Sequence, residues 1–338
     1  MPASAALARA SRIPLISAAD PGNNVNHVNH GHGHFLFLFL DGVGIGENNP
    51  AINPFFSAEL KYFGGIFGGI PSRENGSIEN GSAFVQPCDA LLGVEGLPQS
   101  GTGQTALFTG VNAAQLIGMH FGPYPHSQIK PLLEEKNIFK VLKELGANVH
   151  FANAFPKQFF EYIESGHRKL SATTLSCMMN GIPLCNADSL RSGDGISADI
   201  TAERWHSELG YSDIEPMKPF EAGKVLRKIT EKHDFTMFEY FLTDKAGHDK
   251  DKELAERVLE TFDEFLGGIM EDGMLDLTIL ISSDHGNVED LSTKTHTLNP
   301  SLTAVAGEHA DFFKGKLPSI CDVTPRIIEL FKDRFHQS

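Results

Sequence analysis

Three short strand-like segments, each followed within a few residues by an aspartate, constrain the fold of this chain most strongly. Each segment is five to eight residues long, which suits a strand buried on both faces of a parallel sheet better than a helix. Because the carboxyl ends of parallel strands meet at one edge of a sheet, the three aspartates are expected at one site. The pairs of segment and aspartate are residues 35–40 with Asp41, residues 235–242 with Asp244, and residues 277–281 with Asp284.

Amphipathic segments between these strands predict helices that cover the sheet. The predicted helices include residues 137–145, 221–233, 253–269 and 325–335, and residues 148–155 predict a further strand. This alternation predicts an α/β fold, a three-layer sandwich with a central, mostly parallel sheet. Residues 35–338 are long enough to form one large domain.

Residues 156–220 interrupt the alternation of strands and helices. We interpret them as a small lid or an elaboration over the edge of the sheet. Arg168 and Arg191 in this segment are candidates for clamping an anionic substrate, although single arginines more often serve as ordinary surface residues.

The first 34 residues do not resemble core sequence, and we predict a disordered tail. Residues 1–19 contain Arg9 and Arg12 but no acidic residue before Asp20, a composition typical of a transit peptide. An over-extended start is the alternative. Four widely spaced cysteines indicate reduced thiols. We therefore predict a cytoplasmic protein, or an organellar one if residues 1–19 are a transit peptide.

The charge of the chain limits its partners. With 28 basic and 43 acidic residues, the net charge is −15, which repels nucleic acid and anionic membrane surfaces. We expect a small-molecule substrate and leave the oligomeric state open. An anionic substrate would need local positive charge, which bound metal ions could supply.

Histidines accompany the strand-end aspartates. His248 lies four residues after Asp244, on the same side of a helical turn, while His285 and His296 follow Asp284. Three carboxylates and three imidazoles exceed the needs of one tetrahedral zinc ion and suit two neighbouring divalent ions. Taken singly, each of these residues could equally lie in a turn or on the surface.

A candidate nucleophile lies in the segment 97–110. Pro98 and the glycines after it predict a loop, and a helix is expected to begin near Thr105. Ser100 and Thr102 would then lie near the amino end of that helix, where an anion is stabilised. Either hydroxyl could cap the helix or act as a nucleophile beside a metal.

Five motifs together resemble the alkaline phosphatase superfamily, nearest the branch of cofactor-independent phosphoglycerate mutases and phosphopentomutases. The resemblance covers about residues 35–335. The motifs, in the order of the family, are Asp41-Gly-Val-Gly-Ile-Gly-Glu47, Pro98-Gln-Ser-Gly-Thr-Gly103, Asp244-x-x-Gly-His248, Asp284-His-Gly-Asn287 and His296-Thr-x-Asn299.

The resemblance implies a site with two divalent metals, manganese or zinc rather than magnesium. It implies that Asp244, His248 and His296 hold one ion. It also implies that Asp41, Asp284 and His285 hold the other, beside Ser100 as nucleophile. Thr102 is the alternative nucleophile if the alignment shifts by two residues.

Two departures from the mutases favour a phosphohydrolase or phosphotransferase over a mutase. The mutases have histidine where this chain has Gln104, and they carry a larger inserted domain than residues 156–220 provide. A phosphomutase remains the alternative. A sulfatase is disfavoured because the segment after Ser100 lacks the Pro/Ala and Arg of the sulfatase motif. A non-catalytic scaffold is disfavoured because all seven candidate ligands are present.

Overall fold

Strand β1 lies near the middle of a seven-stranded sheet in the computed structural model, which describes residues 33–336. The strand order is β2-β3-β9-β8-β1-β7-β4. The strands are β1 His34–Leu40, β2 Ile78–Asn80, β3 Ala83–Cys88, β4 Val149–Phe151, β5 Asn153–Ala154, β6 Ile196–Ser197, β7 Phe235–Tyr240, β8 Leu277–Ser283 and β9 Ser301–Gly307. The expectations for residues 1–32 lie outside the described residues.

Helices occupy both faces of this sheet. They are α1 Lys61–Phe67, α2 Ser100–Thr109, α3 Ala113–Ile117, α4 Lys130–Glu135, α5 Ile138–Glu144, α6 Lys157–Glu164, α7 Ala172–Met179, α8 Ala187–Ser192, α9 Glu203–Ser207, α10 Pro219–Thr230, α11 Leu242–Asp249, α12 Lys252–Met270, α13 Ala310–Phe313 and α14 Ile320–His336. None of the described helices is long and apolar enough to cross a bilayer.

The alternation of side chains along β1 explains the three layers. Phe35, Phe37 and Phe39 point to one face, where they pack with α2, α5, α7 and α14. The intervening leucines point to the other face, toward α1, α10 and α12. Every residue from 35 to 40 is buried, so the strand is apolar on both sides, as expected for the centre of a parallel sheet. The predicted α/β sandwich is confirmed.

Most of the sheet runs in one direction. β1 pairs in parallel with β7 and β8, and β4 pairs in parallel with β7. β9 runs antiparallel between β8 and β3, and β2 is antiparallel to β3. Strand β9, whose residues 301–307 are mostly small, and helix α1 are not predicted from the sequence pattern.

The strand predicted at residues 148–155 is wrong in its extent, because the chain leaves the main sheet after Phe151. The side chain of Asn153 then bonds both backbone groups of Glu239, accepting from its N–H at 2.7 Å and donating to its carbonyl at 2.7 Å. β5 pairs instead with β6 in a separate two-stranded sheet. This departure begins the segment 156–217, within which helix α7 packs back against the phenylalanine face of the main sheet.

Candidate active site

The three aspartates meet because β8, β1 and β7 are neighbours in the sheet. Asp41 follows the last residue of β1, and Asp284 follows the last residue of β8. Asp244 lies in the first turn of α11, four residues after the end of β7, because this strand ends two residues earlier than the predicted strand 235–242. All three carboxylates therefore lie at the same edge of the sheet.

Asp244 forms one group of possible ligands with two histidines. Its carboxylate oxygens lie 3.3 Å from His248 Nε2 and 3.5 Å from His296 Nε2. The Nδ1 atoms of these histidines lie 2.7 Å from the carbonyl of Lys294 and 2.6 Å from that of Pro98. A carbonyl only accepts, so each Nδ1 carries the proton. In the neutral ring each Nε2 therefore presents a lone pair for a metal, as in metal-binding histidines; without a metal, a protonated His296 Nε2 donates to Asp244 instead.

A second group surrounds His285. Its Nε2 lies 3.0 Å from Ser100 Oγ, 3.4 Å from Asp41 Oδ1 and 3.5 Å from Asp284 Oδ2. Both of these carboxylate oxygens are buried without a hydrogen-bond partner among the described residues. Buried, unpaired carboxylate oxygens are costly, so this arrangement fits a divalent cation.

The electrostatics of the second group also favour a cation. Burial, followed by the charges of Asp284 and Asp244, raises the pKa of Asp41 well above its ordinary value. Burial raises the pKa of Asp284 to about 7 and lowers the pKa of His285 to about 3. Protein atoms alone thus stabilise these carboxylates poorly, while His285 remains in the neutral form that binds metals.

Asp244 is the exception among the three carboxyl groups. Burial alone would raise its pKa, but hydrogen bonds and charges from His296, His285 and Asn287 lower it to about 2. Burial alone would lower the pKa of His296, but its hydrogen bond with Asp244 raises that pKa above the ordinary value. Asp244 is therefore the fully charged member of the site, and it lies between the two groups.

Ser100 is the first residue of α2, five residues earlier than the predicted start of this helix. Gly101 and Gly103 make this position possible. A Cβ at Gly101 would lie 2.4 Å from the carbonyl oxygen of Tyr124, and one at Gly103 would lie 2.9 Å from that of Asp284. Glycine thus allows α2 to approach both loops and to place the Ser100 hydroxyl beside His285.

Thr102 faces away from the ligand groups. Its hydroxyl lies 3.1 Å from the carbonyl of Gln99 and accepts a hydrogen bond from the N–H of Phe121 at 3.1 Å. The side chain is fully buried. Gln104, one turn after Ser100, instead donates from Nε2 to Asp41 Oδ2 at 3.2 Å. Gln104 therefore contacts the second ligand group.

Glu289 joins the loops that carry the ligands, and the sequence analysis did not identify it. Its carboxylate accepts from the N–H groups of Gly44 at 2.9 Å and Asn287 at 2.7 Å. It also accepts from the Thr297 hydroxyl at 2.5 Å and the Asn299 amide at 3.1 Å. The position of Glu289 within the 284–299 segment was a signal that could have revealed it.

The two arginines proposed as an anion clamp do not serve as one. Arg191 pairs with Asp188 and Asp213, each at 2.7 Å, on the protein surface. Arg168 donates to the backbone carbonyls of Ile163 and His167. That hypothesis was wrong, because these side chains are engaged by their own neighbours.

The structure brings all seven sequence-derived candidates into one region, which we call the strand-end cluster. Its members are Asp41, Ser100, Asp244, His248, Asp284, His285 and His296. Its imidazole nitrogens, carboxylate oxygens and hydroxyl suit manganese or zinc ions. Divalent ions held by such a cluster could orient and neutralise a phosphate group beside a serine hydroxyl.

Comparison with known proteins gives sequence matches over part of the chain and structural matches over most of it. Residues 203–333 match the family model described as the metalloenzyme superfamily. The 2,3-bisphosphoglycerate-independent phosphoglycerate mutase of Desulforudis audaxviator is 34% identical over 126 residues, which are 35% of this chain and 25% of that protein. The match therefore spans about a quarter of the length of this curated relative.

Solved structures match over nearly the whole chain. The PH0037 protein from Pyrococcus horikoshii has 12% identity and a TM-score of 0.53, covering 90% of this chain and 98% of that one. The alkaline phosphatase from the Antarctic bacterium TAB5 has 12% identity and a TM-score of 0.51, covering 88% of this chain and 97% of that one. At such identities the likeness shows a common fold.

Proposed function

We propose that this chain is a member of the alkaline phosphatase superfamily and a metal-dependent enzyme that transfers phosphoryl groups from small phosphate esters. The observation that carries the proposal is the position of Ser100 Oγ, 3.0 Å from His285 Nε2 and beside two unpartnered carboxylate oxygens. A hydroxyl in such surroundings is poised for attack on phosphorus.

Two divalent cations, manganese or zinc, complete the site in this proposal. Asp244, His248 and His296 would hold one, and Asp41, Asp284 and His285 would hold the other with Ser100 beside it. Bound cations supply positive charge for the phosphoryl oxygens and lower the pKa of the Ser100 hydroxyl.

The protein itself positions the reacting groups. Ser100 Oγ loses its proton to solvent and forms a bond to phosphorus, while the bond from phosphorus to the ester oxygen breaks and the alcohol leaves with a proton from solvent. The amino end of α2, a ten-residue helix, adds a favourable dipole for the phosphoryl oxygens. Water then attacks phosphorus, releases phosphate and restores Ser100.

A phosphomutase is the second candidate, because the sequence relative reported above is named a phosphoglycerate mutase. In that case a hydroxyl of the substrate, not water, accepts the phosphoryl group from Ser100. Phosphorus NMR of the products separates the two reactions, since a hydrolase releases inorganic phosphate and a mutase yields an isomeric ester.

The test is turnover of the manganese- or zinc-loaded Ser100→Ala variant, with intact-protein mass spectrometry to detect a phosphorylated wild-type serine. We expect turnover to fall by on the order of a thousandfold while metal content is retained. Thr102→Val, which removes the alternative hydroxyl at constant shape, should keep turnover. Robust turnover by Ser100→Ala would reject the serine route, and a wild-type protein without metal or turnover would indicate a scaffold.

A further inference from the structure

A cavity of about 590 Å³ opens beside the strand-end cluster. Asp41, Ser100 and Asp244 line one end, and residues between 153 and 209 form much of the rest. The group attached to a phosphate at Ser100 would therefore extend into this cavity. Its volume lies in the range of pockets that hold drug-sized ligands, so it has room for more than a small acid or a single sugar.

Aromatic rings form much of the lining of the cavity. We call Tyr124, Phe155, Phe159, Trp205 and Phe241 the aromatic wall. The rings of Phe155 and Phe159 stack with centroids 4.3 Å apart and planes 24° apart. Tyr124 is 41% exposed and Phe241 is 38% exposed. Large exposed rings at a cavity are typical of surfaces that bind a flat, apolar group.

The polar groups of the cavity suit hydroxyls. Glu239 is only 8% exposed, and the single hydrogen bond of its carboxyl group within residues 33–336 comes from the Thr173 hydroxyl. Its other oxygen is available to a ligand. Ser171 and Thr174 add hydroxyl groups to the same lining. A sugar placed between the phosphate and the aromatic wall would find both hydrogen-bond acceptors and hydrogen-bond donors for its hydroxyl groups here.

The charges of the cavity disfavour a second anionic group. Two basic residues, Lys169 and Arg204, line it, and Arg204 already pairs with Glu208 at 3.0 Å. The acidic residues Asp199 and Glu239 line it as well. A carboxylate or further phosphates on the substrate would meet few free cations in this cavity.

We propose that this cavity selects phosphate monoesters whose organic part is a sugar bearing a planar ring, of which nucleoside monophosphates are the chemical type. The selectivity rests on the proposed phosphoryl transfer, because the cavity is shared with Ser100. The ring packs on the aromatic wall, the sugar hydroxyls meet Glu239 and its neighbours, and the phosphate lies at the strand-end cluster.

The test compares adenosine 5′-monophosphate with ribose 5-phosphate. The bond broken is the same in both esters, so a difference in kcat/KM reports the ring and not the leaving group. We expect the manganese-loaded protein to prefer the nucleotide by on the order of tenfold or more, as stacking of a base on aromatic side chains provides. Equal values would overturn the proposal.

Variants identify the surface responsible. Phe159→Ala should lower kcat/KM for the nucleotide several-fold and leave ribose 5-phosphate unchanged, and Tyr124→Ala, at an exposed ring, should act likewise. Phe159→Leu, which keeps bulk but not a flat ring, should restore part of the preference. Leu275→Ala is the control, because Leu275 is 79% exposed and lies before β8, away from the strand ends. Equal losses for both esters would contradict stacking.

A binding measurement separates this proposal from the proposed function. The metal-loaded Ser100→Ala variant is titrated calorimetrically with each ester. If wild type hydrolyses neither ester, phosphoryl transfer has failed. Tighter binding of the nucleotide, weakened by Phe159→Ala, would still support ring recognition. Equal binding of both esters, or no binding of either, would reject it.

Discussion

The strand-end cluster and the aromatic wall face the same cavity but are built differently. The cluster lies at the ends of central strands, and Asp284 and His285 are completely buried. Three of the five wall residues lie in or beside the short helices α6 and α9; α6 has no buried residue, and α9 buries only Trp205. Reactive groups are thus held by the sheet, and the surfaces that contact the substrate's organic part by lightly packed segments.

The largest expected effect is in the strand-end cluster. Asp244→Asn removes the charge that lies between both ligand groups, so turnover should fall by on the order of a thousandfold. Elemental analysis should show loss of bound divalent metal. Asp199→Asn, an acid of the same cavity outside the cluster, is the control and should retain metal. If both variants lost metal equally, the proposed division between cluster and wall would be wrong.

An intermediate effect is expected at Glu239, where the sheet meets the cavity. Burial raises the pKa of Glu239 to about 7. In the unfolded chain the value is about 4.3. The folded protein therefore loses stability as the pH rises from about 4.3 to about 7, because Glu239 ionises at a lower pH in the unfolded chain than in the folded protein. Glu239→Gln should remove this loss and gain roughly 2–3 kcal/mol over wild type at pH 8.

Urea unfolding at pH 4 and pH 8 measures this difference. The gain of Glu239→Gln should nearly vanish at pH 4, where the carboxyl is protonated in both states. Glu264→Gln, on the exposed side of α12, is the control variant. A gain of the same size at both pH values would show that burial of charge at Glu239 is not its cause.

The smallest effect is expected at Lys169. This side chain is exposed at the cavity and makes no ion pair within residues 33–336. Lys169→Gln should raise KM for phosphate esters by about two- to fivefold, leave kcat unchanged and weaken as salt is added. Lys332→Gln, an exposed lysine on α14, is the control. A large fall in kcat for Lys169→Gln would mean that this residue, outside the strand-end cluster, takes part in the chemistry.

The sequence predicted the cluster better than the wall for physical reasons. Asp41 and Asp284 follow buried strands, and the parallel topology brings such ends together wherever they lie in the chain. No comparable topological rule predicts which aromatic residues come together in the aromatic wall. Phe155 and Phe159 resemble ordinary core residues, and the short helices around Trp205 are placed by contacts among themselves. The role of residues 156–220 as a lid remains a prediction.

Helix α2 shows why its start could not be predicted. Glycine, serine and threonine in residues 100–103 lower helix propensity, so the sequence favoured a start near Thr105. The helix nevertheless begins at Ser100, because Gly101 and Gly103 let it pack closely against the loops that carry Tyr124 and Asp284. Strand β9 was missed for a similar reason, since its small residues owe their extended form to pairing with β8 and β3.

Glu289 has a consequence for the order in which the protein can mature. It accepts hydrogen bonds from Gly44, 245 positions earlier in the chain, and from Asn287 beside it. During synthesis the loop after β1 must therefore wait for residue 289 to emerge before it reaches its final shape. We expect hydrogen exchange to give the amides of Gly44 and Asn287 one common free energy of opening, since a single carboxylate closes both loops.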